Sequence, residues 1–74
     1  MIEATQARGA RAMLKWTVAE LAKRAQVAPN TITRFEGGGS VNASTIVTIQ
    51  RALEAAGVEF LPDNGVRLHH EKSG

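Results

Sequence analysis

Val18-Ala-Glu-Leu-Ala-Lys-Arg-Ala-Gln-Val-Ala-Pro-Asn-Thr-Ile-Thr-Arg-Phe-Glu36 decides how this chain reads. Val18, Leu21, Ala22 and Ala25 recur at helical spacing, so the first half of the stretch forms a short amphipathic helix. Thr17 is a good N-cap for it, and Glu20 three residues later completes a capping-box pattern. Gln26-Val27-Ala28 interrupts the helix. Pro29 would break a helix from within, yet it is favoured at a first helical position, where its missing N–H has no partner anyway. A second short helix over residues 29–36 follows, with Ile32 and Phe35 inward and Asn30, Thr31, Thr33 and Arg34 on other faces. Leu21, Ala22, Ala25, Val27, Ile32 and Phe35 are then spaced to pack where the two helices cross, with Ala22 small at the closest approach.

Upstream, Ala4 to Leu14 reads as a helix, capped by Thr5, with Ala7, Ala10 and Leu14 at spacings of three and four and Met13 alongside. Lys15-Trp16 ends that rhythm, and the place of Trp16 between two helices favours a core role over base stacking. Downstream, Gly37-Gly38-Gly39-Ser40 stops the third helix. Asn42 caps a fourth running to about Ala56, with Ile46, Val47, Ile49 and Leu53 as its apolar stripe and Gly57 as its stop. The period then changes to two. Residues 58–61 and 66–69 alternate around Pro62-Asp63-Asn64-Gly65, which predicts a β-hairpin. Residues 1–69 are expected to form one domain, and the polar residues 70–74 a disordered tail.

Composition narrows the function. The 74 residues include no Cys, so disulfides and cysteine metal sites are excluded. A chain this short buries only about 60% of its unfolded surface, which makes self-association the expected supplement to stability. No apolar run approaches the roughly 20 residues of a membrane span, and the first residues lack the apolar core of a secretory signal. A cytoplasmic protein that does not engage a membrane is expected. The net charge of +2 is unevenly spread. Residues 1–37 hold six basic residues against three acidic, and residues 38–74 hold three against four, giving +3 and −1. A basic half is compatible with a polyanionic partner and equally with an ordinary solvated surface.

Trp16-Thr17, Glu20-Leu21-Ala22, Ala25-x-Val27, Thr31-Ile32-x-Arg34-Phe35-Glu36-Gly37 and Leu53-Glu54-Ala55-Ala56-Gly57-Val58-Glu59-Phe60 together resemble the lambda-repressor-like (Xre, Cro/C1-type) helix-turn-helix family. The closing part is similar to short bacterial regulators whose fourth helix leads into a hairpin. The resemblance implies a mainly α domain of four to five helices with a short C-terminal β-hairpin. It implies sequence-specific binding of double-stranded DNA by a transcriptional regulator, a repressor of a short palindromic operator. Pro29, Asn30, Thr33 and Arg34 match the positions that read bases. Asn pairs bidentately with adenine and Arg with guanine in the major groove. Lys15, Thr17, Val18, Thr31, Gly38, Gly39, Ser40 and Asn42 match positions that touch phosphate, Thr17 and Val18 at a helix N-terminus suited to anions. Arg11 and Glu36 match an internal salt bridge. The sequence departs from the family at Gln26 and Lys15, where glycine is frequent, and at Val18, where the helix often opens with Gln.

The hairpin residues Val58, Phe60, Val66 and Leu68 form one apolar face, expected to pack on the helices and to serve a homodimer. An antitoxin-like or other protein-interaction module is the alternative reading, with a protein partner in place of DNA. Lys23 and Arg24 fit a solvated face as well as a phosphate contact. The glycine run is no nucleotide loop, since no Gly-Lys-Ser/Thr follows it. His69-His70 is a weak candidate for a metal, and none is expected. No cofactor is implied. An enzyme is poorly supported, because there is no Cys or Tyr and the carboxylates are scattered.

Overall fold

The computed structural model describes residues 1–69 and runs α1 (Ala4–Leu14), α2 (Val18–Ala25), α3 (Pro29–Glu36), α4 (Ala43–Ala55), β1 (Val58–Phe60) and β2 (Val66–Leu68). Of the four to five helices implied, four are present among the described residues. The expectation for residues 70–74 lies outside the described residues.

One core joins all six elements. Ala7 and Ala10 of α1, Leu21, Ala22 and Ala25 of α2, Ile32 and Phe35 of α3, and Ile49 and Leu53 of α4 are buried together with Val58. Leu21, Ile32, Ile49 and Leu53 are its largest fully enclosed side chains, each stabilising the fold by about 1.5–3 kcal/mol relative to exposure. Trp16 and Val27 are half-buried against this core, as are Val18, Ile46 and Leu14. Met13 departs from the expected stripe. It turns outward and is 42% exposed, because α1 buries the Ala7–Ala10 line, not the flank one residue before Leu14.

The start of α1 also differs. Glu3 takes the cap position, not Thr5, because Gln6 three residues on accepts from the Glu3 N–H at 2.8 Å and lets the helix begin at Ala4. Gln6 is itself buried, and its amide nitrogen donates to the carbonyls of Gly65 at 3.1 Å and Leu61 at 3.4 Å. One side chain therefore caps α1 and ties it to the hairpin turn. At α2 only half of the expected capping box forms. Thr17 Oγ1 accepts from the Glu20 N–H at 3.0 Å, while the Glu20 carboxylate turns to Arg24. Asn42 occupies the cap position of α4 with extended backbone angles, but its side chain makes no capping bond.

β1 and β2 pair antiparallel with Val58 opposite Leu68, Glu59 opposite Arg67 and Phe60 opposite Val66, strands of three residues where four were expected. The apolar face packs on the helices as anticipated. On the other face Arg67 donates to Glu59 and holds its carboxyl below the usual carboxylate range, with His69 adding to the effect.

The ends of α1, α2 and α3 share one design. Trp16 N–H bonds the Arg11 carbonyl, Val27 N–H that of Ala22, and Gly39 N–H that of Arg34, each five residues back. The residue before each of these is left-handed: Lys15 at φ 59°, Gln26 at φ 59° and Gly38 at φ 88°. Only the third is glycine, so the first two hold a conformation costing about 1–2 kcal/mol for a residue with a Cβ. Gln26→Gly is accordingly expected to stabilise the chain by about 1 kcal/mol. Thermal denaturation should show a midpoint about 4–8 °C higher. An unchanged midpoint would contradict the strain assigned to this turn.

Candidate nucleic-acid interface

α3 lies across α2 with Ile32 and Phe35 against Leu21, Ala22 and Ala25, and this packing decides which of its side chains face outward. Pro29, Asn30, Thr33 and Arg34 are exposed, and Thr31 is half-buried. Asn30, Thr33 and Arg34 stand three and four residues apart, so they form one row on the helix surface. The Thr33 hydroxyl donates to the Pro29 carbonyl at 3.3 Å, leaving its oxygen free to accept. Among the described residues, the side chains of Asn30 and Arg34 have no hydrogen-bond partner within the chain.

Three helix starts leave backbone N–H groups open. At α2, Thr17 Oγ1 accepts from the Glu20 N–H, and the N–H groups of Val18 and Ala19 have no partner among the described residues. At α3, the Thr31 N–H bonds the Ala28 carbonyl at 3.0 Å and that of Asn30 is open. At α4, the Thr45 N–H bonds the Asn42 carbonyl at 3.0 Å, and the uncapped Asn42 leaves the N–H groups of Ala43 and Ser44 open. Between α3 and the start of α4 lies an open cleft of about 490 Å³ lined by Thr31, Arg34, Ser40, Val41, Asn42 and Thr45. Open N–H groups at helix starts favour anions.

Charge reinforces this. Glu36 is the one acid of α3, and it is 6% exposed. Arg11 grips it bidentately, Nε to Oε2 at 2.9 Å and Nη2 to Oε1 at 2.8 Å. The same guanidinium donates to the Trp16 carbonyl at 3.1 Å, and Arg8 donates to the Glu36 carbonyl at 3.2 Å. The hydrogen bond that Arg11 donates to Glu36 raises the Arg11 pKa above the ordinary arginine value. Glu20, the other acid nearby, is bonded to Arg24 at 2.7 Å, which lowers its pKa, and the Arg24 guanidinium sits 4.6 Å above the Trp16 ring. Among the described residues both of these carboxylates are therefore paired, while Lys15 and Lys23 have no carboxylate partner.

A family profile described as Helix-turn-helix matches residues 8–60, most of the chain. The chain belongs to the lambda-repressor-like helix-turn-helix family. That is a family of DNA-binding regulators. No curated protein and no solved structure gives a significant match. α2 and α3 are the two helices of the motif, and the turn between them contains the left-handed Gln26. Lys15 and Gln26, the two departures from glycine, are both left-handed, as is Asn64 in the hairpin turn.

Of the residues expected to read bases, Pro29 and Asn30 open α3, and Thr33 and Arg34 follow on its exposed side. Of the phosphate set, Thr31, Ser40 and Asn42 share the cleft with Arg34, Gly38 and Gly39 lie on the loop beside it, and Lys15, Thr17 and Val18 sit at the start of α2. Val58, Phe60, Val66 and Leu68 stand apart in the hairpin, Val58 buried and the other three half-buried. Sequence reasoning missed Arg8 and Gln6, whose roles depend on carbonyls 28 and more than 50 residues away.

Removing Arg11 strands a buried carboxylate, whereas removing Glu36 leaves a cation that is 23% exposed and near water. Arg11→Ala should therefore cost about 3 kcal/mol in urea denaturation, and Glu36→Ala clearly less. Equal or negligible costs would contradict the buried-pair account.

Proposed function

We propose that the chain binds double-stranded DNA sequence-specifically as a transcriptional repressor, with α3 lying in the major groove. The observation that supports this most is the exposed Asn30, Thr33 and Arg34 row, on a helix whose one carboxylate is paired with Arg11 and whose Arg34 shares a cleft with the open start of α4. In this reading Asn30 and Arg34 read base edges, with Thr33 and Pro29 in contact beside them. Thr17 with the N–H of Val18, together with Lys15, holds phosphate on one side. Thr31, Ser40 and Asn42 hold it on the other, whereas the N–H groups of Gly38 and Gly39, expected among the phosphate contacts, are spent on the Phe35 and Arg34 carbonyls. The protein acts in the cytoplasm, without catalysis, by occupying DNA.

The reading extends to a homodimer on a palindromic operator. Two recognition helices about 34 Å apart meet successive turns of the groove, and a protomer measuring 37 × 26 × 19 Å is of the right scale to sit beside its copy at that spacing. The hairpin is the proposed contact, through its strand edges and the exposed parts of Phe60, Val66 and Leu68. Val58 is 3% exposed, so it contributes its backbone only.

Electrophoretic mobility shift with DNA upstream of the chain's own gene, at near-physiological salt and with excess competitor, tests the reading. A discrete band is expected, weakened roughly 10- to 100-fold by Arg34→Ala or Asn30→Ala. Binding insensitive to both substitutions would refute base reading by α3. Sedimentation at high micromolar concentration should give twice the protomer mass; a monomer there would refute the hairpin dimer.

A further inference from the structure

The loop after α3 lies closer to Arg34 than its backbone requires. Gly39 N–H donates to the Arg34 carbonyl at 2.8 Å, which draws the Gly39 backbone beneath the Arg34 side chain. A Cβ at position 39 would stand 2.7 Å from Arg34 Cγ, 3.6 Å from its Cδ and 3.1 Å from its carbonyl oxygen. The first distance is well inside the optimum of about 3.5–4.0 Å for two carbons, so Arg34 would have to leave its rotamer.

The turn itself does not demand this glycine. Its left-handed residue is Gly38, at φ 88°. Position 39 corresponds to Trp16 after α1 and Val27 after α2, where the same five-residue bond forms to Arg11 and Ala22. Both of those residues have large side chains. The motif thus accepts a side chain at this position, and what excludes one at 39 is the stem of Arg34.

We propose that Gly39 is a positioning residue for base reading: its bare backbone is the surface on which the Arg34 stem rests, holding Arg34 along the cleft beside Thr31, Ser40 and Asn42. This rests on the reading of α3 as the recognition helix. Arginine has large rotamer freedom, and a stem already held in one direction loses less of it when the guanidinium pairs with a base. Gly39→Ala re-aims Arg34 without removing a charge. Selectivity at the base pair read by Arg34 should fall, while attraction to phosphate is kept. The Gly39 N–H is already bonded to the Arg34 carbonyl, so Gly39→Ala removes no phosphate donor.

The test is selection from a pool of random duplexes with the full chain as wild type, Gly39→Ala, Arg34→Ala and the double variant. Melting curves confirm that each is folded. Gly39→Ala should weaken preference roughly 10-fold at the one position that Arg34→Ala also weakens, with binding to unselected duplex almost unchanged. In the Arg34→Ala background the glycine substitution should change nothing further. In the free wild-type protein, nuclear Overhauser contacts between the Gly39 α-protons and the Arg34 γ-protons should be present. Their absence, or a wild-type motif that Gly39→Ala leaves intact, overturns the inference alone. A wild-type chain that enriches no motif overturns the recognition-helix reading and this inference with it.

Discussion

The Arg11–Glu36 pair is the interaction on which the rest of this structure depends. It ties the end of α3 to α1 through two hydrogen bonds of 2.8 and 2.9 Å. The same guanidinium reaches the Trp16 carbonyl, so the start of the helix-turn-helix is secured by the same residue as its end. A buried ion pair is weak support for net stability, since apolar residues of similar volume often do as well. Its value here is geometric and electrostatic. It fixes the angle of α3, and it withdraws the only carboxylate of that helix from the face that carries Asn30, Thr33 and Arg34. One bond pattern thereby links the core to the charge of the candidate interface.

Helix endings do the remaining work of placement. Bonds reaching back five residues at the ends of α1, α2 and α3 turn the chain sharply each time. That keeps the two helices of the motif short and lets Ala22 and Ala25 sit against Ile32 and Phe35. The strain at Lys15 and Gln26 is tolerated because Trp16 and Val27, the residues next to them, pack against the core. The hairpin is secured differently, by Val58 from one side and by Gln6 from the other, so it joins the N-terminal helix to the C-terminal strands.

Most of the fold was legible in the sequence because its signals are local. Pro29 marked the start of α3, the glycine run its end, and the change of period after Gly57 the hairpin; the helix boundaries followed. The exposed row of α3 was legible for the same reason, since inward Ile32 and Phe35 leave only one place for Asn30, Thr33 and Arg34. The Arg11–Glu36 pair was legible only through family resemblance, because 25 residues separate the partners. Capping was read less well. Thr5, Glu20 and Asn42 have the right chemistry at nearly the right places, but Gln6 caps α1 in place of Thr5, Arg24 takes the Glu20 carboxylate, and Asn42 makes no capping bond. The roles of Gln6 and Gly39 depend on which atoms meet in three dimensions, which no spacing rule encodes.

The central claim is that the surface built by the α2 start, α3 and the loop to α4 is the one that meets DNA. Amide chemical shifts of the isotopically labelled chain, followed while a short duplex from the upstream region is added, test it most directly. The account predicts perturbations at residues 17–20, 29–34 and 38–45, lost on raising the salt, with the hairpin amides at 58–68 unmoved by the DNA itself. Perturbations confined to the hairpin, with residues 29–34 silent, would contradict it.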